Sequence, residues 1–417
     1  MFFGWINIYA AVFNEQHHSI LDVSQRYGKQ LIWIGASVIL IFIIFLIDGK
    51  FYVFFSYLIY GTIILLLISV LIFGREIHGA RSWFEIGAFR VQPAEFAKFA
   101  TALALARYLS NYNLKIHRFK SLLKITLIIF IPSLLILLQN DTGTALVFFS
   151  LILVVYREGL SANFIFLGIL IALLFFLALI LEKQVIIFIL ITGSLIFFWL
   201  IRKSSREFFY ALLILTITTG IAWLINWYYH LEISLYLVVL AGLGIATPVF
   251  LIQAYRKKIS QVYIILVLLT GSIAFTYSVD YFFNNILEKH QQQRINHLLG
   301  IESDPLGAGY NVNQSKIAIG SGGPAGKGFL NGTQTKFNFV PEQSTDFIFC
   351  TVGEEWGFLG TTMVIIVFMI LLFRLIILAE RQRSKFSRIY GYGVIAILFF
   401  HIFVNIGMTI GIAPVIG

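Results

Sequence analysis

The sequence contains few charged residues, and this low content indicates which solvent surrounds the folded chain. Aspartate, glutamate, lysine and arginine together make up 12% of the 417 residues, whereas about 25% is usual in a soluble domain. Hydrophobic residues make up 59%, and the mean hydropathy is +0.89. No water-soluble core could bury so much apolar surface, so the composition excludes a soluble globular protein and predicts a membrane protein.

Cysteine is nearly absent, and the histidines show no metal-ligand spacing. The single cysteine, Cys350, excludes an internal disulfide and a cysteine-based zinc site, and its apolar surroundings in the sequence favour a packing role. The eight histidines form no HExxH pattern. Because basic residues of membrane proteins gather in cytoplasmic loops, the net charge of +10 does not indicate a nucleic-acid partner, and we expect none.

Apolar stretches recur along the chain at lengths close to the roughly 20 residues that a helix needs to cross the hydrocarbon. Several run short because polar ends continue the helix. The fold class is predicted as all-α, a polytopic transmembrane helix bundle with a long structured extracytoplasmic loop. The predicted spans are 31–47, 51–73, 94–109, 122–138, 144–156, 162–181, 184–201, 208–227, 235–252, 261–279, 347–373 and 389–411.

Basic residues in the connections predict the orientation. If every segment crosses once, the basic loops all fall on one side, which the positive-inside rule makes cytoplasmic. The other side then carries residues 74–92, a short turn at 139–143 and one long loop from about 280 to 346. The basic residues are Lys115, Arg118, Lys120, Lys124, Arg202, Lys203, Arg206, Arg256, Lys257, Lys258, Arg374, Arg381, Arg383, Lys385 and Arg388.

The stretch from Gln314 to Phe349 carries most of the polar information. Six glycines between Gly320 and Gly332 permit positive φ and close backbone approach, so we expect this segment to fold tightly around a ligand rather than to form a helix. A flexible surface loop is the alternative, although lysines interleaved with aromatics argue against a mere linker. The run GSGGPAGKG fails the GxxxxGK[ST] pattern of a nucleotide-binding loop.

Asp346 stands at the boundary between this loop and the next apolar run. A carboxylate at the bilayer centre costs about 2.5 to 3.5 kcal/mol, so a boundary position is tolerable, and a partly dry setting raises a carboxyl pKa towards that of a general base. The alternative is a helix cap in which Thr345 or Asp346 satisfies free amides. Glu354 and Glu355 lie about two turns further on, where carboxylates are either functional or paired with basic groups on neighbouring helices.

A second polar cluster runs from residue 79 to residue 98. Arg81 and Arg90 offer planar donors suited to a pyrophosphate, while Trp83 is either an interfacial anchor or a platform for a sugar. Pro93 suits the first turn of a helix that would carry Glu95 and Lys98 inward.

A third polar piece, residues 139–144, separates two hydrophobic stretches. Its carboxylate, Asp141, is either part of the site or a simple turn residue or cap. We expect the cluster 79–98 and the loop 280–346 to converge on one outward-facing cavity that is open to lipid.

These clusters, in this order and with this spacing, resemble the SEDS family (shape, elongation, division and sporulation), which includes FtsW, RodA and SpoVE. Within it they are most similar to the RodA branch, because NGTQT follows GKGFL. The resemblance covers about 31–156 and 280–417. The matching motifs are GARSW with RVQPAEFAK, then QNDTGTAL, then DPLGAGYNVNQSKIAIGSGGPAGKGFLNGTQT with FVPEQSTDFIF and GEEWGFLG, and finally FVNIGMTIGIAPVIG.

The sequence departs from the family pattern in three respects. The usual QPD reads QND, so Asn140 replaces proline; this keeps Asp141 and is expected to loosen the turn. Five predicted spans, rather than one, lie between Tyr156 and the long loop, and four extra crossings leave that loop on the same side. The stretch MFFGWINIYAAVF is too short to cross, and the family's closing helix is missing after Gly417, so we expect truncation at both ends.

The predicted organisation has three parts. An N-terminal membrane core with a truncated first helix covers 1–156. Extra transmembrane helices are inserted over 157–260. The C-terminal core covers 261–417, contains the loop at about 280–346 and lacks its last helix.

The resemblance implies a peptidoglycan glycosyltransferase of the bacterial inner membrane, which polymerises lipid II with release of undecaprenyl pyrophosphate during cell elongation and shape maintenance. It implies a class B penicillin-binding protein as transpeptidase partner, beside other membrane proteins of the elongation complex. Asp346 matches the family's essential aspartate, proposed to deprotonate the acceptor sugar. The candidate substrate-binding residues are Arg81, Trp83, Gln92, Glu95, Lys98, Asp141, Gln314, Lys316, Ser321, Lys327 and Glu342.

Two other functions are alternatives to this expectation, and one cofactor is a possible addition to it. A lipid II flippase would need charged residues along a path through several spans, whereas the predicted helices are nearly free of charge. A non-catalytic scaffold predicts that Asp346 can be changed without consequence. A divalent cation such as Mg²⁺ or Mn²⁺ would assist the pyrophosphate, although no liganding cage is visible in the sequence, so no metal site is predicted.

Overall fold

The chain folds into two compact units, Met1–Ala162 with Arg294–Gly417, and Asn163–Gln293. Ten of the described helices are long and apolar enough to cross a membrane, which confirms the predicted all-α transmembrane class. The computed structural model describes residues 1–13, 20–77, 79–86, 89–230, 233–287, 292–293, 295–296, 309–413 and 415.

The described elements follow one another closely along the chain, with short connections between most helices. In chain order they are α1 Phe2–Val12, α2 Arg26–Leu46, α3 Gly49–Phe73, β1 Arg75–Ile77, β2 Ala80–Ile86, β3 Phe89–Val91, α4 Pro93–Leu109, α5 Phe119–Leu138, α6 Thr142–Val147, a 3₁₀ turn Phe148–Leu151, α7 Ile152–Arg157, α8 Ala162–Ile180, α9 Lys183–Arg202, α10 Ser205–Tyr228, α11 Leu235–Lys257, α12 Ser260–Asn285, α13 Tyr310–Ser321, α14 Thr333–Lys336, α15 Ile348–Glu380 and α16 Lys385–Ile410.

Alanine makes α4 the buried centre of the first unit. Most of its residues are buried, and it packs against α3, α5 and α16. Small side chains let helix backbones approach closely in a membrane. The contact with α16 shows this closeness, since a Cβ atom at Gly393 would lie 3.0 Å from Cβ of Ala102. Glu95 and Lys98 of the second polar cluster therefore lie on a closely packed helix.

Two predicted spans form helices that are short for a full crossing. The segment predicted at 94–109 is α4, whose 17 residues extend about 25 Å at 1.5 Å per residue. The segment predicted at 144–156 lies within Thr142–Arg157, where the 3₁₀ turn divides α6 from α7. Both segments are helical as predicted, and each is shorter than the hydrocarbon thickness of about 30 Å.

A small antiparallel sheet interrupts the helices between α3 and α4. The strands pair in the order β1-β2-β3, with Arg75 opposite Trp83 and Glu85 opposite Arg90. The sequence of this stretch indicates a polar cluster but did not predict strands. The sheet matters for the site because β2 carries Arg81 and Trp83 on a fixed backbone rather than on an irregular loop.

The second unit packs α9 to α12 around an aliphatic core. The core residues include Ile187 of α9, Leu243 of α11 and Leu269 of α12. A Cβ atom at Gly242 would lie 2.5 Å from Cγ2 of Thr219, so only glycine permits the observed approach of α11 to α10.

Helix α15 is bent near its beginning. Gly357 has φ 64° and ψ −159°, which is not helical, and it divides the 33 residues of Ile348–Glu380. A Cβ atom at Gly357 would lie 2.3 Å from the backbone nitrogen of Gly326. Both the left-handed φ and this close approach require glycine. The short part before the bend therefore has surroundings different from those of the long part after it.

Candidate functional site

Asp346 lies in a run of turns that leads into α15. On either side of it, Val340 and Phe347 are buried in a cluster with Val312 of α13 and Cys350. Asp346 itself is half-buried. The apolar anchors thus fix the backbone on both sides while the carboxylate remains accessible. Cys350 is buried and packs as predicted.

The helix start is not capped by the side chains that the sequence suggested. Phe347 occupies the N-cap position of α15, and no side-chain hydrogen bond is made there. The Thr345 hydroxyl turns back instead and lies 3.0 Å from Oε2 of Glu342. The capping interpretation of Asp346 and Thr345 is therefore wrong, and capping does not explain why a carboxylate stands at this position.

Two charges of opposite sign act on the Asp346 carboxylate. Burial raises its pKa, the nearby Glu342 carboxylate raises it further, and the Arg26 guanidinium lowers it. The net result is a pKa above the ordinary value of an aspartate. A carboxylate with a raised pKa is a better proton acceptor near neutral pH, which suits a general base.

Arg26, at the start of α2, holds the turn that precedes Asp346. Its Nη1 donates to Oε2 of Glu342 at 3.0 Å and to Oγ of Ser344 at 2.6 Å. Arg26 lies 316 residues from Glu342 in the sequence and outside every motif of the resemblance. Sequence reasoning missed it, because only knowledge of this pairing would have indicated a role.

A polar cavity of about 710 Å³ opens beside this turn. Its walls come from the end of α1, the start of α2 and residues 336–344. Neither Arg81 nor Trp83 lines it, so their convergence with the loop on one cavity stays a prediction. The polar lining residues are Gln25, Arg26, Lys336, Asn338, Glu342, Gln343 and Ser344.

Helix α16 connects Asp346 with the second cluster. Asn405 of α16 donates from Nδ2 to the backbone oxygen of Asp346 at 3.2 Å. One turn earlier, Nε2 of His401 lies 2.9 Å from Nζ of Lys98, which in turn pairs with Glu95 at 2.8 Å. His401 and Asn405 were not among the predicted site residues, although Asn405 belongs to the quoted FVNIGM motif.

The second and third polar clusters are in direct contact. Nε2 of Gln92 donates to Oδ2 of Asp141 at 2.8 Å, and Oδ1 of Asp141 accepts the backbone N–H of Thr144 at 3.0 Å, which caps α6. The backbone N–H of Arg81 donates to the backbone oxygen of Gln139 at 3.0 Å. The turn that contains Asn140 is thus tied to β2 and to the start of α4.

The arginines of the sheet have different surroundings. Arg90 pairs with Glu85, with Nε and Oε1 3.1 Å apart, and Arg75 pairs with the same carboxylate. The side chain of Arg81 is exposed, and Trp83 is half-buried beside it on β2. Arg81 is consequently the better placed of the two predicted arginines to contact a ligand.

Glu354 organises the glycine-rich loop from inside. Its side chain is fully buried and pairs with Lys327, whose Nζ lies 2.7 Å from Oε1. The carboxylate also accepts the backbone N–H groups of Gln334 and Thr335, each at 2.9 Å, and the Thr335 hydroxyl at 2.6 Å. Glu354 thus pairs with a basic group, as one interpretation predicted, but Lys327 lies in the glycine-rich loop rather than on a neighbouring helix.

The glycine-rich segment wraps around α15 rather than standing free. Residues up to Ser321 are helical in α13, so the expectation that the segment avoids helix is wrong for Gln314–Ser321. After Ser321 the backbone lies on α15, where Lys327 and Gly328 donate to the backbone oxygens of Glu354 and Glu355 at 3.0 Å. The glycines thus permit close approach as predicted, but to the chain's own helix.

The remaining candidates lie on or near α13. Gln314 is half-buried, and Lys316 is exposed in the middle of α13, where its side chain lies close to Gly411. The Ser321 hydroxyl donates to the backbone oxygen of Ala318 at 2.8 Å. Parts of two motifs, residues 304–308 and the residues 414, 416 and 417, lie outside the described residues.

Within the described ranges, no group of three or more His, Cys, Asp or Glu side chains could hold a metal ion. The carboxylates Glu342 and Asp346 lie near each other but share their surroundings with the Arg26 cation. The described residues therefore do not by themselves form a divalent-cation site.

Comparison with known proteins identifies similar folds and sequences. A solved structure reported as "Structural coordination of polymerization and crosslinking by a peptidoglycan synthase complex" has a TM-score of 0.61 and 22% identity, covering 100% of this chain and 85% of that chain. The crystal structure of the rod shape determining protein RodA of Thermus thermophilus has a TM-score of 0.52 and 21% identity, with 99% and 82% covered. Both show likeness of fold.

Sequence relatives are closer. The peptidoglycan glycosyltransferase RodA of Treponema pallidum is 31% identical over 418 residues, which is 99% of this chain and 88% of the relative. The peptidoglycan glycosyltransferase MrdB of Escherichia coli K12 is 30% identical over 358 residues, which is 86% of this chain and 69% of the relative. The model of the FtsW/RodA/SpoVE family, described as "Cell cycle protein", matches residues 1–189 and 228–417. The chain therefore belongs to the FtsW/RodA/SpoVE family of cell cycle proteins.

Proposed function

We propose that this multi-pass membrane protein is a peptidoglycan glycosyltransferase that joins lipid II units into glycan strands and releases undecaprenyl pyrophosphate. The observation that carries the proposal is the half-buried, non-capping carboxylate of Asp346 at the start of a spanning helix. The activity named for the relatives from T. pallidum and E. coli supports the same reaction.

The reaction needs one proton acceptor and one stabilised leaving group. The hydroxyl oxygen of the acceptor sugar attacks the anomeric carbon of the donor, a new C–O bond forms, and the bond from that carbon to the pyrophosphate oxygen breaks. Asp346 takes the hydroxyl proton, and the pyrophosphate leaves with the electron pair. The raised pKa of Asp346 suits it to accept this proton.

Cations and polar side chains of the three polar clusters are proposed to bind the lipid II head groups. Arg81 and Lys316 present exposed cations, and pyrophosphate is recognised by such donors. Lys327 is proposed to act by holding the loop through Glu354. The other residues proposed to contact substrate or its immediate partners are Trp83, Gln92, Glu95, Lys98, Asp141, Gln314, Ser321 and Glu342.

The proposed location is the bacterial inner membrane, with the site facing outward. The positions of the basic loops support this orientation by the positive-inside rule. A class B penicillin-binding protein is the proposed partner, since the similar solved complex is described as coordinating polymerisation with crosslinking. Other membrane proteins of the elongation complex are proposed as further partners. The inserted helices at 157–260 are proposed to form an added helical unit that leaves the fold of the core intact.

Polymerisation of purified lipid II by the purified chain, with and without the partner, tests the proposal. We expect Asp346→Asn to abolish glycan product in a gel while extraction, monodispersity and the unfolding midpoint stay near those of the parent. Asparagine keeps the size of the side chain but cannot take a proton, and base catalysis contributes about 10²- to 10⁴-fold.

Glu342→Gln is the matched control, and a smaller effect is expected because Glu342 is exposed and pairs with Arg26. An Asp346→Asn variant that polymerises lipid II at the parent rate would overturn the general-base role. Movement of labelled lipid II across vesicles without polymer would instead favour a flippase, and neither activity would favour a scaffold.

A further inference from the structure

Three contacts recur at intervals of four residues along the end of α16. Nε2 of His401 meets Nζ of Lys98 at 2.9 Å, and Nδ2 of Asn405 donates to the backbone oxygen of Asp346 at 3.2 Å. The backbone oxygen of Thr409 accepts the Ser315 hydroxyl at 2.9 Å. Each contact reaches a different segment, namely α4, the turn before α15, and α13.

The spacing places these contacts on one face of the helix. Residues four apart on an α-helix lie one above another, separated by about 6 Å along the axis. Helix α16 also packs along α4, where Gly393 and Ala102 approach closely. Because α16 is packed against α4, it fixes the separation between Asp346 and Lys98 along the helix axis.

The contact between His401 and Lys98 has only one chemical assignment if the lysine is charged. An ammonium group donates hydrogen bonds and cannot accept them, so Nε2 of His401 must be the acceptor and the ring proton must sit on Nδ1. The Lys98 side chain is only 7% exposed, while its partner Glu95 is 56% exposed. The exposed His401 ring and Glu95 thus orient a cation that is otherwise covered.

We propose that His401 and Asn405 are positioning residues that align the general base Asp346 with the Lys98 cation across one face of α16. This inference rests on the proposed glycosyltransferase function. Asn405 acts on the Asp346 backbone and His401 on the Lys98 ammonium, and neither needs to touch the reacting atoms. Small misplacement of reacting groups is costly, since a shift of about 1 Å can reduce a rate by about 10²-fold.

Steady-state polymerisation of lipid II by the full chain tests the alignment. Asn405→Asp keeps the size of the side chain but removes the donor to the Asp346 carbonyl, and we expect kcat to fall by about 10-fold or more with KM within about 2-fold. His401→Gln keeps an acceptor for Lys98, whereas His401→Leu does not. We therefore expect His401→Gln to retain most of kcat and His401→Leu to lose it.

Phe403→Ala is the matched control, because Phe403 lies on the same helix with an exposed side chain. Its kcat and KM should match those of the parent. Unfolding midpoints in detergent identify any variant that fails to fold, and the pair His401→Gln and His401→Leu still decides the question if Asn405→Asp is unstable.

The results separate this inference from the proposed function. If Asp346→Asn is inactive while Asn405→Asp and His401→Leu keep the parent kcat, the alignment is refuted and the general base stands. If kcat falls and KM changes in all α16 variants, Phe403→Ala included, the effect is structural. That result would also overturn the alignment. If Asp346→Asn polymerises lipid II at the parent rate, the general-base role fails and the alignment fails with it, and if the parent chain makes no polymer, the proposed function itself fails.

Discussion

Lys327 and Glu354 form an ion pair whose two members differ in exposure. Nζ and Oε1 lie 2.7 Å apart, the glutamate side chain is fully buried, and the lysine side chain is 27% exposed. The carboxylate also collects backbone N–H groups of the loop that wraps α15. Loss of the lysine would leave a buried charge without its counter-ion.

Removal of this counter-ion should loosen the loop. We expect Lys327→Met to reduce the free energy of unfolding by about 3 kcal/mol, because breaking a buried pair leaves an uncompensated charge. The double variant Lys327→Met with Glu354→Gln should lose less than the sum of the two single changes. Thermal unfolding and protease cleavage of residues 322–335 measure both effects. Lys120→Met, an exposed lysine elsewhere, is the control, and strict additivity would contradict the pairing.

The pH dependence of polymerisation should follow the two charges beside Asp346. The base must be ionised, so the rate falls as pH drops through its raised pKa. Glu342→Gln removes a charge that raises this pKa and should move the acid limb of kcat/KM to lower pH. Arg26→Gln removes the charge that lowers it and should move the limb to higher pH. Rates between about pH 4 and 8 measure the limb, and shifts in the same direction would contradict the assignment.

Restoring the family's proline at position 140 should harm this chain. Asn140 has φ 62°, a left-handed conformation that asparagine tolerates and that the proline ring forbids. We expect Asn140→Pro to destabilise the protein by about 3 kcal/mol and to disturb the contact between Gln92 and Asp141. Asn140→Gly, which permits the same φ, is the control and should unfold near the parent midpoint. Equal midpoints for the two variants would show that the turn can rearrange.

Two adjacent glycines should respond differently to alanine. A Cβ atom at Gly322 would lie 2.0 Å from the backbone oxygen of Gly353, whereas one at Gly323 would meet nothing within 4 Å. Gly323→Ala should cost about 1 kcal/mol for its left-handed φ of 58°. Gly322→Ala should cost about 2 to 3 kcal/mol, because the loop must move away from α15. The unfolding midpoints of the two variants check the order, and a reversed order would argue against the wrapped loop.

The inserted helices should be removable only in even numbers. Deletion of α8 to α11 removes four crossings, so a reporter fused at residue 310 should stay on its original side of the membrane. Deletion of α9 to α11 removes three crossings and should place the same reporter on the opposite side. Protease or thiol-label accessibility of the reporter measures its side. If the reporter lies on the same side of the membrane in both deletion variants, the count of crossings is wrong.

Apolar run length predicted the helices well, because a helix in lipid must satisfy its own backbone. The motif around Asp346 also predicted a carboxylate at the boundary between the long loop and the next span. The sequence did not predict the strands of residues 75–91, since their pattern is short and mixed with loop residues. It also missed Arg26, His401 and Asn405, whose roles depend on partners that are distant in the chain.

Glycine content was informative in a different sense from the one expected. The glycines of residues 320–332 predicted close backbone approach, and the structure contains it, but the partner is α15. The sequence could not distinguish a ligand from the chain's own Glu354, because both would need the same small residues. Propensity likewise did not exclude the helix at Gln314–Ser321, where burial of Ser315 and Ala318 fixes the backbone.

The bend at Gly357 separates membrane insertion from loop folding on a single helix. The 23 residues from 358 to 380 extend about 34 Å, which by itself exceeds the hydrocarbon thickness of about 30 Å. Only residues 358–380 therefore have to enter the hydrocarbon, so the carboxylates of Glu354 and Glu355 do not need to enter it. The span after Gly357 can insert into the membrane first. The glycine-rich loop can then fold over the short part of α15 that precedes Gly357.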